Sequence, residues 1–353
     1  MDRKIRVMVV DDSALMRRII SDMINAETDM EVIDIARNGE NLLSKMNTTV
    51  PDVITLDVEM PIMDGITTLK KLKELGISSK VIMLSSLTKD GAETTMECLQ
   101  NGAFDFIAKP SGSISLDINK VREDLIEKIR SIKISKTTAE AANKKSTSFI
   151  TRTRLRTSEK INKKINCVVI GASTGGPKAL YSVITALPSD LGIPVLVVQH
   201  MPIGFTKAFA ERLNRSSNLK VVEAEDKMPI EKNVVYIAKA GYHMEVENNK
   251  IVLNEDPTIW GVRPAVDKLF ISASKVYGNG LLSVVLTGMG KDGANGTVEV
   301  KKNGGYTFSE DESTCVIYGM PKATFETNMV DEVLPLHHVS SRIVRAIRGV
   351  ERD

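Results

Sequence analysis

Cys167-Val-Val-Ile-Gly-Ala-Ser-Thr-Gly-Gly176 is the stretch on which the fold of the second half turns. A β-branched apolar run followed at once by small residues predicts a buried strand ending in a tight turn, with glycine permitting the sharp backbone path. Ser173 then stands at a strand tip. The spacing Gly171-x-Ser173-x-Gly175 matches a nucleophile elbow, where a hydroxyl is raised above a sheet and nearby amides face a developing oxyanion. The same residues would also make a phosphate-cradling loop or a plain strand-to-helix connection. What stands at neighbouring strand ends separates these three readings.

Length and composition bound the answer. A chain of 353 residues is long enough for two domains, and 42% hydrophobic with 26% charged residues is a globular balance. No apolar run approaches the roughly 18 residues of a membrane span, and Met1-Asp-Arg-Lys-Ile-Arg6 leads into a strand without a signal-peptide core. A cytoplasmic protein without membrane insertion is expected. Cys98, Cys167 and Cys315 are odd in number and far apart, which suggests buried thiols and no disulfide framework or cysteine metal site. Between Lys133 and Lys164 ten lysines and arginines face two glutamates, hence +8 there and −6 over the remainder of a chain whose total is +2. A mildly acidic folded part argues against nucleic acid as a partner.

The first half repeats one pattern. Ile5-Arg-Val-Met-Val-Val10 ends in Asp11-Asp12-Ser13, and Leu15, Met16, Ile19, Ile20 and Met23 then recur at helical spacing. Val53-Ile-Thr-Leu56 ends in Asp57, Val81-Ile-Met-Leu84 in Ser85-Ser86, and Phe104-Asp-Phe-Ile-Ala-Lys109-Pro110 closes the series. Alternating strands and helices with short loops predict a doubly wound parallel sheet, whose ligands bind beyond the carboxyl ends of its strands. Asp11, Asp12, Asp57, Ser85 and Lys109 all fall there. Three carboxylates at one edge call for a hard cation such as Mg²⁺, and with Lys109 and Ser85 the edge would receive a phosphoryl group.

This half resembles the receiver domain of two-component response regulators over essentially residues 1–130. The resemblance implies a flavodoxin-like fold in which Asp57 accepts phosphate from a histidine kinase. Asp11, Asp12, Asp57 and the Glu59 carbonyl would hold Mg²⁺, and Ser85 and Lys109 would sense the phosphoryl group. Phe106 matches the aromatic switch position, although a buried core ring would read the same way.

A helix is expected over 117–134, with Leu125, Ile126, Ile129 and Ile132 on one face, and a flexible basic linker over 135–164. The domains are then 1–134 and 165–353. The second repeats the alternation. Val195-Leu-Val-Val198 ends in Gln199-His200, an Asn248-Asn249 turn marks an antiparallel hairpin, and Leu281-Leu-Ser-Val-Val-Leu286 runs into Thr287-Gly-Met-Gly-Lys-Asp-Gly293. Ser173, His200 and Asp292 therefore close three strands of one expected sheet, offering nucleophile, base and orienting carboxylate. His243, in a stretch expected to be irregular, and His337 and His338, near the C-terminus, are weaker bases. A DNA-binding output domain would need a basic helix-turn-helix after the linker, and a phosphate-binding module would not need His200 and Asp292.

The joint pattern resembles the chemotaxis receptor methylesterases, the CheB family, over the whole chain. Gly171-Ala-Ser-Thr-Gly-Gly-Pro177, Gln199-His-Met-Pro202, Arg263-Pro-Ala-Val-Asp267, Leu286-Thr-Gly-Met-Gly-Lys-Asp-Gly-Ala294, Asp311-Glu312 and Tyr318-Gly-Met-Pro-Lys322 are similar to its motifs, in its order. The chain departs from it at Ala240, where a proline is common, and near Trp260, where a histidine usually precedes the Arg-Pro pair. The resemblance implies a Rossmann-like α/β/α catalytic domain that removes methyl esters from glutamates on the cytoplasmic helices of chemoreceptors and deamidates particular glutamines. Thr174 and Met289 amides would hold the oxyanion, and the esterase step would need no cofactor. The unphosphorylated receiver would restrain the catalytic domain.

Overall fold

A computed structural model describes residues 3–109, 117–144 and 164–349, with the side chains of 117 and 133–144 left aside. The chain divides into two compact units, Met1–Phe149 and Ile150–Asp353. In the first, β1 (Ile5–Val10), α1 (Ala14–Asn25), β2 (Met30–Ala36), α2 (Gly39–Lys45), β3 (Val53–Asp57), α3 (Gly65–Glu74), β4 (Lys80–Ser85), α4 (Lys89–Gln100), β5 (Asp105–Ala108) and α5 (Asp117–Lys144) alternate. The strands form one parallel sheet in the order β2-β1-β3-β4-β5, the flavodoxin-type doubly wound arrangement. β3 is buried at every position, as a central parallel strand covered on both faces must be. Ser13, Asn38, Asp64 and Thr88 cap α1 to α4 by accepting a first-turn amide, so these helices start where polar residues interrupt the apolar pattern.

One expectation at the end of this unit changes. The helix expected to stop at Ile134 continues to Lys144. Residues 135–144 hold no glycine or proline and three alanines, so nothing local breaks the helix. The rest of the expected linker, 145–163, lies outside the described residues, as does Pro110.

The second unit contains β6 (Cys167–Ala172), α6 (Gly176–Thr185), β7 (Val195–Gln199), α7 (Phe205–Ser216), β8 (Lys220–Glu223), β9 (Val234–Ile237), β10 (His243–Glu247), β11 (Lys250–Asn254), α8 (Val266–Tyr277), β12 (Leu281–Val285), α9 (Ala294–Lys302), β13 (Tyr306–Glu310), α10 (Met320–Glu326), β14 (Glu332–Leu334) and α11 (Leu336–Arg348). Seven parallel strands run in the order β14-β13-β12-β6-β7-β9-β8, and β10 and β11 form the antiparallel hairpin. β6 is buried throughout. Met244, Val246 and Ile251 of the hairpin join Leu269, Phe270 and Ala273 of α8 in the core that covers one face of the sheet.

Register is what builds the site. Gly171 pairs with Val285 and with Val198, and Ala172 pairs with Gln199, so β12, β6 and β7 end level with one another. The residues that follow these three strands are thereby gathered at one edge.

Candidate active site

Ser173 follows β6 directly. Its amide donates to Thr287 O at 3.1 Å, and its carbonyl accepts from Gly176 N at 2.7 Å and from Gln199 Nε2 at 2.9 Å. The serine backbone is thus pinned from three sides. Gly288 packs so closely that a Cβ there would lie 2.8 Å from Ser173 Cβ and 3.0 Å from Ser173 N. α6 begins after Gly175, which has φ 76° and provides no side-chain cap; Gly176 N turns back to Ser173 O, and Pro177 in the first turn has no N–H to satisfy.

His200 ends the strand next door, its amide bonded to Ala172 O at 3.1 Å. Its Nε2 lies 2.8 Å from Asp292 Oδ2. Asp292 is buried and accepts two further hydrogen bonds, from Val266 N at 2.6 Å and Asp267 N at 2.8 Å, the first two residues of α8. A carboxylate on a helix N-terminus is held by the positive end of the helix dipole. Because an ionised carboxylate only accepts, His200 Nε2 carries the hydrogen and Nδ1 is left as the basic nitrogen.

Thr174, the residue after Ser173, is buried, and Met289, the residue after Gly288, is half-buried. The amides of Ser173 and Gly288 are committed to Thr287 O and Ile317 O. Those of Thr174 and Met289 have no acceptor among the described residues.

Two buried acids behind this edge carried no role in the sequence reading. Asp267 accepts from Gly293 N at 3.0 Å, Gly296 N at 2.7 Å and Trp260 Nε1 at 3.0 Å, and so ties the Asp292 loop to α8. Glu310 ends β13, fully buried, and accepts from Thr287 N at 2.7 Å and the Thr314 hydroxyl at 3.0 Å. Burial pushes both carboxyls above the ordinary range against those hydrogen bonds. An acid in the first turn of a helix, and one closing a strand that alternates aromatic and hydroxyl residues, are the signals that could have found them. The sequence motif pointed instead to Asp311-Glu312, of which Asp311 turns its carboxylate to Ser313.

His243 corrects an expectation, for it opens β10 and is not in an irregular stretch. Fully buried, its Nδ1 accepts from Ala265 N at 3.1 Å and its Nε2 donates to Pro257 O at 3.1 Å, so both nitrogens are used structurally. Burial holds its pKa below the usual histidine value. Cys98 and Cys167 are buried and Cys315 is half-buried; burial raises all three thiols, Cys98 to about 12.

The first unit has its own acidic edge. Asp11, Asp12 and Asp57 bring carboxylate oxygens within 4.8 Å of one another. Lys109 Nζ lies 2.8 Å from Asp11 Oδ2 and 2.7 Å from Asp57 Oδ2. Burial pushes the Asp57 carboxyl up to about 6, against the pull of Lys109 and with the Asp11 charge adding to the rise. Burial works against charge on Lys109 too, yet its two ion pairs hold the ammonium above its usual value. One lysine does not neutralise three carboxylates, and an oxygen-only donor set with surplus negative charge fits a divalent hard cation. The Glu59 amide donates to Asp57 Oδ1 at 3.3 Å. Ser85 is at the same edge, but its hydroxyl bonds to Gly91 O at 3.1 Å and Thr95 Oγ1 at 2.7 Å in α4. Phe106 is buried in β5, with Lys128 Nζ donating to its carbonyl at 2.6 Å.

A family model described as CheB methylesterase matches residues 168–343, and one described as response regulator receiver domain matches residues 7–118. A protein-glutamate methylesterase/protein-glutamine glutaminase of Clostridium acetobutylicum is 55% identical over 350 residues, 99% of each chain. The protein of that name from Pyrococcus horikoshii is 43% identical, covering 98% of this chain and 95% of its own. The crystal structure of the Thermotoga maritima CheB methylesterase catalytic domain is similar with a TM-score of 0.50 at 42% identity, over 52% of this chain and 99% of that one. Relatives aligned end to end, with both units matched in order, place this chain in the CheB methylesterase family, with a response regulator receiver domain ahead of its methylesterase domain.

Proposed function

We propose that this chain is a phosphorylation-activated serine hydrolase that cleaves glutamyl methyl esters of chemoreceptors, and glutaminyl amides in the same way. The observation that carries the reading is the Asp292–His200 hydrogen bond at 2.8 Å, presented level with Ser173 by three adjacent parallel strands. His200 Nδ1 takes the proton from Ser173 Oγ as the oxygen attacks the ester carbonyl. Asp292 orients the ring and stabilises the imidazolium that forms. The open amides of Thr174 and Met289 receive the oxyanion. His200 returns its proton to the leaving methoxide, methanol departs, and water activated by the same nitrogen hydrolyses the acyl-enzyme to a free glutamate. With an amide substrate, ammonia leaves instead.

On the receiver, Asp57 is the phosphoryl acceptor and a histidine kinase the donor. Asp11, Asp12, Asp57 and the Glu59 carbonyl would hold Mg²⁺, which when bound offsets the charge of the phosphoryl oxygens. Lys109 pairs with that group, and Ser85 and Phe106 respond to it. Phosphorylation raises esterase activity, which suits a cytoplasmic enzyme acting on cytoplasmic receptor helices. The test is methanol release from methylated receptor membranes by the wild-type chain and by Ser173→Ala. Loss of release in the variant is expected, and undiminished release would overturn the nucleophile.

A further inference from the structure

Trp260, the chain's one tryptophan, stands at the tip of a two-residue turn. Ile259 and Val262 exchange backbone hydrogen bonds of 3.2 and 3.0 Å, and Trp260 and Gly261 between them have φ of 54° and 78°. A turn with two left-handed central residues favours Asn-Gly, so a bulky indole at the first of them is strained. Strain held in place points to use.

The indole is fastened to the catalytic machinery. Its Nε1 donates to Asp267 Oδ2 at 3.0 Å, and the Asp267 amide donates to Asp292 Oδ1 at 2.8 Å. Even so, 47% of the residue stays exposed. Lys291, the residue before Asp292, lies over the ring with Nζ 3.9 Å from its centroid. On the other side of the site Lys239, just after β9, lies 5.5 Å from the centroid of the Tyr242 ring. Both lysines are exposed, and neither has a carboxylate partner among the described residues. In the sheet β12 and β9 lie on either side of β6 and β7, so the two lysines border the ends that carry Ser173 and His200.

We propose that Lys291 on Trp260 and Lys239 on Tyr242 form a cationic rim that binds carboxylates of an acidic polypeptide flanking the reacting glutamyl group, a specificity device that rests on the methylesterase reading. A methyl ester is neutral, so two ammonium groups on the loops that flank the Ser173 and His200 strand ends have no charge to meet on the reacting group itself. Their partners must come from its neighbours. A lysine seated on an aromatic face is held in place before the ligand arrives, which lowers the ordering cost of binding. Attraction of this kind acts on encounter and is screened by salt.

Two synthetic peptides test this with the full chain, each carrying one glutamate γ-methyl ester flanked by glutamates or by glutamines. Wild type should show a kcat/KM for methanol release about tenfold higher on the acidic peptide at low salt, the ratio falling towards one near about 0.5 M NaCl. Lys291→Met and Lys239→Met should each lower the ratio several-fold, and Lys291→Arg should keep it. A ratio near one in the wild type, or one unchanged in both methionine variants, overturns the rim. Titrating an acidic peptide with methionine in place of the ester, read by tryptophan emission, measures binding apart from chemistry. Binding that Lys291→Met weakens supports the rim even where no methanol is released, a result that would refute only the methylesterase reading. Affinity equal in wild type and variant overturns the rim.

Discussion

The Asp292 carboxylate accepts hydrogen bonds from His200 and from two amides of α8, which leaves it no freedom to turn. In Asp292→Asn the amide group keeps the size but loses an acceptor, and either a backbone N–H or the His200 tautomer must give way. With Nδ1 protonated, His200 no longer serves as base. We expect kcat to fall by about 10³–10⁴ with little change in KM, measured as methanol release; a loss under tenfold would contradict the assignment. Glu310 gives a pH-dependent case. Burial holds its carboxyl above the ordinary glutamate value of 4.5, so the folded state binds the proton more tightly and the group detracts from stability as pH rises from about 4.5 through the folded value. Glu310→Gln should therefore stabilise the catalytic unit relative to wild type at pH 8, and the difference should shrink towards pH 4.5. Thermal unfolding at both ends of that range checks it, and an equal offset at both would show that the charge is not responsible.

Ser173, His200 and the Asp292 loop work as one element because three strand ends are level. Gly288 is the point of that element packed against the serine itself. The Cβ of an alanine would meet Ser173 N and Cβ at 3.0 and 2.8 Å and Met320 Sδ at 2.5 Å. The methionine end can move, but the pinned serine backbone cannot. Gly288→Ala should destabilise by about 1–3 kcal/mol and lower kcat more than a hundredfold by displacing Ser173, with unfolding midpoint and turnover measured on one preparation. Wild-type turnover would refute this packing. The strands around this element were legible where apolar and β-branched residues run unbroken, as in β6, β7 and β12. β2, with Glu31 and Asp34, and the three-residue β14 lack that run, and both are sheet edges, where one flank has no neighbouring strand. His243 was unreadable for a related reason, since its burial depends on Ala265 and Pro257, residues distant in the chain.

At the scale of the whole molecule, two units with separate cores predict that signal and chemistry can be separated. Acetyl phosphate with Mg²⁺ should raise methanol release by the full chain about 5- to 150-fold, the usual range of coupling between sites, and should leave Asp57→Asn unchanged. Equal stimulation of both would refute control through Asp57. The sequence by itself determined the two doubly wound sheets, the acidic edge of Asp11, Asp12 and Asp57, and the candidacy of Ser173, His200 and Asp292. Each of these is written locally, in apolar runs that stop at chemically distinctive residues. Tertiary structure alone decided that Asp292 takes Nε2 of His200, that Asp267 and Glu310 brace the loops behind the serine, and that Lys291 rests on Trp260. Those contacts depend on strand register and on side chains up to about a hundred residues apart meeting in space, and no local pattern encodes them.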